Sequence, residues 1–292
     1  MPTDKVSSYM LPRHAEGVGV ARKRTGDASV AEEQKRIYSS RIIKAGALLA
    51  DTTTLLAHWD NSQSTDQNLA RLQRENVFGK ASRSRISDVL AIFRQRYLRE
   101  KEVARALSLL VHNRLPKPTL DKIFYFHAAL ADRLLNDTVT ELLADYYSRG
   151  RTEITVDDVQ RWLTQLVYEG KTSARWSADT TRRVAQGLLS TLRDFGILEG
   201  ANNKRIAPPS LPVSAFSYIA FYLRGRQASG ELLIQSKEWQ LFFLSPIDVE
   251  RYFMEAHQHR LLEYYAAGPV VRITFPSSSL EDYSRVISER QI

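Results

Sequence analysis

The sequence of 292 residues contains no cysteine. Disulfide bonds and thiolate metal sites are therefore excluded, and the absence fits the reducing environment of the cytoplasm, where we expect the protein to be located. The histidines do not supply a metal site instead, because His257 and His259 lie two residues apart on a predicted helix and diverge by about 200°. We accordingly predict no metal site and no cofactor.

Long apolar segments are also missing. The longest uncharged run, from Ile206 to Leu223, is interrupted by three prolines and several serines, so it lacks the continuous apolar length that spans a bilayer. Residues 1–36 contain no apolar core of signal-peptide length and include the basic cluster of Arg22, Lys23 and Arg24. These features predict a soluble protein without a membrane partner, with residues 1–36 as a mobile N-terminal tail.

Motifs for catalysis are incomplete. The stretch from Glu169 to Thr172 resembles the end of a phosphate-binding loop, but Gln165 stands where such a loop requires its first glycine. Asp194, Phe195 and Gly196 spell the magnesium-binding tripeptide of protein kinases, yet no catalytic-loop motif precedes them. We therefore predict no catalytic residues and no small-molecule substrate, and we expect that the protein is not an enzyme.

Positive charge, in contrast, is in excess, with 41 Lys and Arg against 33 Asp and Glu. Residues 71–105 hold ten basic residues and four acidic ones, and residues 171–205 hold seven basic and three acidic ones. From Ile206 onward, eight basic residues are balanced by nine acidic ones. A polyanionic partner is therefore expected to bind to the first two thirds of the chain.

Helical periodicity dominates the sequence. Apolar residues from Tyr38 to Trp59 recur at alternating spacings of four and three, which predicts one amphipathic helix. A helix capped by Thr119 is predicted to run through Leu135 and to end at Asn136 and Asp137. Further helices are expected at Val213 to Leu223, Lys237 to Leu244, Pro246 to Tyr265 and from Leu280, with a strand at Val270 to Phe275.

Proline-rich breaks divide this pattern. Pro116 and Pro118 end the N-terminal helices, and Pro208, Pro209 and Pro212 close the middle part. The predicted parts are the tail (1–36), an N-terminal helical unit with a first helix-turn-helix (37–116), a winged-helix-like unit (117–207), and a C-terminal helical unit with a short strand (208–292). The fold class is thus mainly α, a multi-helix globular protein with two helix-turn-helix units, the second winged, plus a few short β-strands.

The segment from Trp176 to Glu199 reads as the recognition helix of the second unit. Ser177 is a good N-cap, Gly196 is suited to end the helix, and one face is apolar while the other is polar and basic. A capping box from Thr155 to Asp158 begins the preceding helix, and residues 197–206 form a predicted wing. From this unit we select these DNA-binding candidates: Ser177, Thr180, Arg182, Arg183, Gln186, Lys204 and Arg205.

The roles of these candidates follow from the chemistry of duplex DNA. Arg182 and Arg183 suit phosphate or guanine, Gln186 can pair with adenine in the major groove, and Lys204 and Arg205 are placed to contact the backbone. The alternative is a winged-helix unit used only for packing or protein contact, since a fold does not fix a function.

The first helix-turn-helix outline gives a weaker signal. A helix from Leu69 to Phe78, a turn at Gly79 and Lys80, and a helix marked by Ile86 to Tyr97 have the expected order. Its DNA-binding candidates are Lys80, Arg83, Ser84, Arg85 and Arg99. The alternative is that these cations only solvate the exposed face of a long helix.

The order of these features resembles the BrxA family of bacterial BREX phage-exclusion systems. The resemblance rests on Tyr38 to Leu49, on Trp59 and Asp60, on Trp176 to Glu199, on Ala267 to Ile273, and on Ser279 to Glu281. It spans roughly Tyr38 to Glu289, and its motifs are structural rather than catalytic. The tail over residues 1–36 lies outside it.

The resemblance implies a predominantly helical, non-enzymatic core component of a multi-gene defence system, with helix-turn-helix units that bind double-stranded DNA. Such a protein would help to localise the defence complex on DNA, with weak sequence preference and other BREX proteins as partners. Two alternatives stay open, an RNA-binding protein and a protein-bridging scaffold within the defence complex. The comparison of family members with a helical RNA-binding antitermination protein supports the first of these.

Overall fold

A computed structural model of the chain describes residues 38–80, 82–268 and 270–290. This part of the protein is mainly helical with a few short antiparallel strands, which confirms the predicted fold class at that level. The predicted tail, residues 1–36, lies outside the described residues. Among the described residues, no helix combines the length and the apolar character needed to cross a bilayer.

The described residues of the N-terminal part form five helices. They are α1 (Ile42–Ala45), α2 (Leu49–Ala57), α3 (Thr65–Glu75), α4 (Arg83–Tyr97) and α5 (Lys101–His112). A capping box at Ser64 begins α3, and the Ser82 hydroxyl accepts the backbone N–H of Arg85 at the start of α4. Helices α3 and α4 pack against each other, and their interpretation as a helix-turn-helix stays a prediction.

The middle part adds a small sheet. Its elements are α6 (Lys117–Ala131), α7 (Arg133–Asp137), a π-helical turn (Thr138–Leu143), α8 (Ala144–Ser148), β1 (Glu153–Ile154), α9 (Val156–Tyr168), α10 (Ala178–Asp194), β2 (Leu198–Glu199) and β3 (Lys204–Ile206). The strands form an antiparallel sheet in the order β1-β3-β2.

The C-terminal part combines helices with a hairpin. Its elements are α11 (Val213–Arg224), α12 (Gly230–Ile234), a 3₁₀ helix (Lys237–Phe242), α13 (Pro246–Gln258), β4 (Glu263–Ala267), β5 (Val270–Thr274) and α14 (Leu280–Glu289). The predicted helices at Val213 to Leu223 and from Leu280, and the strand at Val270 to Phe275, are confirmed.

Two central helices organise the core. Helices α6 and α11 are buried around most of their circumference, which is the pattern of a helix surrounded by others. They pack against each other, and α4 adds to α6 while α13 and α14 add to α11. Aromatic side chains fill the space between these layers, such as Phe216 stacked on Trp239 with ring centroids 4.7 Å apart.

Helices far apart in the sequence meet in this core. Helix α14 packs against α5, so the last helix completes the hydrophobic face of the N-terminal helices. One hydrophobic cluster contains residues from all three predicted units, for example Leu107, Leu188 and Tyr283. The boundaries at 116 and 207 stay predictions.

The prediction of one helix from Tyr38 to Trp59 is wrong. The backbone leaves the helix at Gly46, and Leu48 has a left-handed conformation with φ of 53° before α2 begins. The buried guanidinium of Arg96 donates to the freed carbonyls of Gly46 and Ala47 at 2.9 and 3.2 Å. The periodicity continues across the break because both short helices face the same core.

The predicted helix from Thr119 to Leu135 is also placed incorrectly. Helix α6 already begins at Lys117, after Pro116, so Thr119 lies inside it and is buried. The helix ends at Asp132, whose carboxylate accepts the backbone N–H groups of Leu134 and Leu135 and begins α7. Asn136 and Asp137, predicted as the break, continue into the π-helical turn.

The prediction of a helix from Pro246 to Tyr265 is too long. Helix α13 ends at Gln258, and Arg260 takes a left-handed conformation with φ of 58° that turns the chain. Tyr264 then pairs with Ile273 in the β4-β5 hairpin. Pairing with a strand that follows in the sequence thus overrides the local helical pattern.

Candidate nucleic-acid interface

The site begins at α9, whose start is fixed by a buried carboxylate. The capping box predicted from Thr155 to Asp158 is confirmed, because the Thr155 hydroxyl accepts the Asp158 N–H and the Asp158 carboxylate accepts the Thr155 N–H at 3.0 Å. The same carboxylate accepts Arg151 at 2.6 Å and Arg161 at 2.5 Å. Asp158 therefore joins the residues on either side of β1 to α9.

The protonation of Asp158 follows from these contacts. Burial alone would raise the pKa of the Asp158 carboxyl, but the hydrogen bonds from Thr155 and the guanidiniums of Arg161 and Arg151 outweigh it and lower that pKa. The carboxylate is consequently charged near neutral pH and pairs with two arginines.

Helix α10 is delimited by its own residues, as predicted. The Ser177 hydroxyl accepts the Thr180 N–H at 3.2 Å, and Gly196 has the left-handed φ of 67° that ends a helix. The Lys122 ammonium donates to the carbonyls of Phe195 and Gly196 at 3.2 and 2.8 Å. Apolar side chains on the inner face pack into the core, among them Val184, Leu188 and Leu192.

The predicted wing forms a short antiparallel pair. Leu198 lies opposite Ile206, and Glu199 lies opposite Arg205. The turn between them requires Gly200, because a Cβ there would lie 2.1 Å from the Asn203 carbonyl oxygen. Strand β1 pairs with the other edge of β3, with Ile154 opposite Lys204.

The outer face of α10 is exposed and basic. Arg182, Arg183 and Gln186 are exposed on adjacent turns. The side chains of Arg183 and Gln186 have no hydrogen bond or ion pair within the described part of the chain, and the Arg182 guanidinium lies 3.8 Å from the exposed Asp157 carboxylate. A salt bridge this long and exposed is weak, so three adjacent polar groups face solvent.

Other predicted residues of this unit are already bonded. The Ser177 and Thr180 hydroxyls lie 3.0 Å apart in the cap of α10. The Lys204 ammonium donates to the Ala201 carbonyl at 2.9 Å, and the Arg205 guanidinium binds the Glu199 carboxylate at 2.6 Å. The two wing cations would have to exchange these partners to contact a phosphate.

The first helical unit holds its cations more firmly. Lys80 pairs with Asp51 at 2.7 Å. Arg85 donates to the Lys44 carbonyl at 2.9 Å, and Arg99 donates to the Ala131 carbonyl at 3.3 Å. The remaining candidates, Arg83 and Ser84, are exposed at the start of α4, and their side chains have no hydrogen bond or ion pair to a described residue.

Sequence reasoning missed one cation of the second unit. Arg175 is exposed in the segment before α10, and no described residue pairs with it. Its signal was the basic composition of residues 171–205, which does not single out one side chain. Its position just before Ser177 adds it to the cations at the N-terminal end of α10.

Fold and surface together define a mainly helical protein that presents one basic helix beside a small antiparallel sheet. The family model BrxA matches residues 36–222, well over half of the chain, and the chain therefore belongs to the BrxA family. Membership of this family indicates a component of BREX-associated phage defence. The match ends within α11, and residues 223–292 lie beyond it. No curated protein matches the chain.

Proposed function

We propose that this protein is a non-enzymatic, double-stranded DNA-binding component of a BREX-type phage-defence system that helps to localise the defence complex on DNA. The observation that carries the proposal is the exposed face of α10, where Arg182, Arg183 and Gln186 face solvent. Other BREX proteins are its expected partners and the cytoplasm its expected location.

The arrangement around α10 supports the proposal. The element order β1, α9, α10, β2, β3 and the sheet order β1-β3-β2 agree with the proposed winged helix, in which α10 would be the recognition helix. Such a helix enters the major groove with its N-terminal residues against the DNA. The major groove is about 12 Å wide and admits one α-helix.

Each exposed group then has a role. Arg182 and Arg183, with Arg175 just before the helix, neutralise phosphates and release condensed counterions. Gln186 lies one turn further along and faces the base edges, where a glutamine can pair with adenine. Lys204 and Arg205 in the wing exchange their present partners for phosphate oxygens. Because phosphate contacts dominate, the sequence preference is weak.

The test is a titration of duplex DNA with the full chain. Changing Arg182 and Arg183 together to Ala is expected to lower the affinity about tenfold or more and to reduce the dependence on salt by about one unit of slope for each lost contact. The charge-matched control is Lys237→Ala with Arg272→Ala, two exposed cations of the C-terminal part that have no partner among the described residues. That control should bind like the unchanged protein.

A second pair of variants tests the N-terminal helical unit, whose sequence signal for DNA binding is the weaker of the two. Arg83→Ala with Arg99→Ala removes two charges from the region of α4 and should change the affinity less than twofold. Equal losses for the α10 and α4 pairs would assign the binding to net charge rather than to α10.

The same titration with duplex RNA and with single strands separates the alternatives. Tighter binding to RNA than to duplex DNA would replace the proposal with RNA binding. An absence of binding to every nucleic acid in dilute buffer, together with recovery of other defence proteins in a pull-down, would replace it with a scaffold.

A further inference from the structure

Helix α1 lies between α4 and α10. It packs against α10 on one side and against α4 on the other. The contact with α10 is close, because a Cβ at Gly187 would lie 3.3 Å from the Ile42 carbonyl oxygen. Gly187 is one helical turn from Arg183 on the same side of α10, so α1 borders the exposed basic face.

Helix α1 and the residue before it carry cations of their own. Arg41 and Lys44 are exposed, whereas Ile42 between them is buried. Lys44 has no side-chain partner among the described residues, and Arg41 has one long hydrogen bond, 3.5 Å to Gln95. No acidic residue occurs between Tyr38 and Ala50, and the carboxylate that interacts with Arg41 is that of Asp132, in the turn between α6 and α7.

The position of α1 is fixed at both ends. At its start, the Tyr38 N–H donates to the Lys171 carbonyl and the Tyr38 carbonyl accepts the Ser173 N–H, both at 2.8 Å, in the segment that leads into α10. The Tyr38 hydroxyl also donates to the Asp137 carboxylate at 2.7 Å. At its end, Arg85 and Arg96 of α4 donate to the carbonyls of Lys44 and Gly46 at 2.9 Å each.

Two arginines of α4 therefore have a structural role. Arg85 and Arg96 use their guanidiniums to hold the segment of α1, which carries Arg41 and Lys44 between α4 and α10. A helix in the major groove has the phosphates of a strand along each side of it, so cations placed next to the recognition helix can reach the backbone.

We propose that Arg41 and Lys44 form a phosphate-binding wall beside the recognition helix, so that α1 and α10 contact one duplex as a single surface. This inference rests on the proposed function and adds a second set of contacts to it. Helix α4 packs against α1, and its Arg85 and Arg96 contribute to DNA affinity by fixing the position of α1.

The test compares Arg41→Ala with Lys44→Ala, made together, against the control pair Lys237→Ala with Arg272→Ala. Both double variants remove two exposed cations, so the net charge is equal. The DNA is a duplex of about one and a half helical turns, which is too short to occupy two separate sites. If Arg41 and Lys44 bind phosphates, changing both should lower the duplex affinity about tenfold and reduce the salt slope by about two.

A thermal melt of each variant checks that it is folded. The single variant Lys44→Glu provides a second test of the role of Lys44 in DNA binding. Reversal of this charge should weaken binding more than Lys44→Ala does, because a carboxylate repels the phosphates.

The outcomes separate this inference from the proposed function. If the Arg182 and Arg183 pair weakens binding while the Arg41 and Lys44 pair matches the control, the wall is refuted and the recognition helix stands. A loss for the Arg41 and Lys44 pair that occurs only with long DNA would indicate a separate second site and would also refute it. No weakening by the Arg182 and Arg183 pair would count against the proposed function itself.

Discussion

The regions around α4 and α10 are similarly rich in arginine, yet they use it differently. Around α4, Lys80 pairs with Asp51, and Arg85 and Arg96 donate to backbone carbonyls of the segment that includes α1. On α10, Arg183 has no bonded partner within the described residues and Arg182 has only a long contact to Asp157. The first set of cations holds the protein together, and the second set is available to a partner.

The difference lies in what each helix packs against. Helix α4 lies beside a broken helix whose free carbonyls need donors, and arginine supplies several in one planar group. Helix α10 is delimited by its own N-cap and glycine stop. The nearby Arg151 and Arg161 form ion pairs with the buried Asp158 carboxylate. A basic stretch is therefore evidence for a polyanion only when neighbouring backbone and carboxylates leave it unbonded.

The strongest test of this comparison measures stability. Arg96→Ala leaves the Gly46 and Ala47 carbonyls buried without their donor, and we expect it to lower the free energy of unfolding by about 2–4 kcal/mol. Arg183→Ala, on the exposed face of α10, should change it by less than about 0.5 kcal/mol. Urea denaturation of both variants is the measurement, and similar losses for the two would contradict the division of roles.

A second test concerns the carboxylates. Asp158→Ala removes the cap of α9 and the partner of two arginines, and we expect a loss of about 1–3 kcal/mol at neutral pH. Asp66→Ala is the control, since the Asp66 pair with Arg94 is exposed and its loss should cost less than about 0.5 kcal/mol.

The pH dependence of that loss has a definite sign. Because the folded protein lowers the pKa of Asp158, its stabilisation is present above the pKa of the unfolded chain and disappears as the pH falls through the folded value. The difference between the unchanged protein and Asp158→Ala should therefore shrink below about pH 4. A difference that is constant from pH 7 to pH 3 would show that the carboxylate charge is irrelevant.

The smallest expected effect comes from Asp157, the acid that forms the long ion pair with Arg182. Asp157→Asn removes a negative charge that faces the phosphates and releases Arg182, so duplex affinity should rise about twofold to threefold. Glu250→Gln on α13 changes the net charge equally and should leave affinity unchanged. Equal gains for both would mean that only the total charge matters.

The sequence alone predicted the elements whose limits are local. Ser177 and Gly196 delimit α10, Thr155 and Asp158 begin α9, and Gly200 closes the turn between β2 and β3. Each of these signals depends on residues a few positions apart, so it can be read without knowing the fold.

The features that sequence reasoning missed depend on contacts distant in the chain. The break at Gly46 is stabilised by Arg96, about fifty residues away, and no pattern in the sequence links the two positions. The partners of Lys80 and Arg99 likewise come from other helices, at Asp51 and Ala131. A helical pattern gives the face on which a side chain lies and cannot give the group it meets there.

The packing of α14 on α5 has a consequence for how the polypeptide can be shortened. A fragment that stops where the family match ends, at residue 222, would lack α14 and the last residues of α11, so the apolar faces of α5 and α11 that α14 covers would be exposed to water. Such a fragment should aggregate rather than fold as an independent domain. The full chain should unfold in one cooperative step.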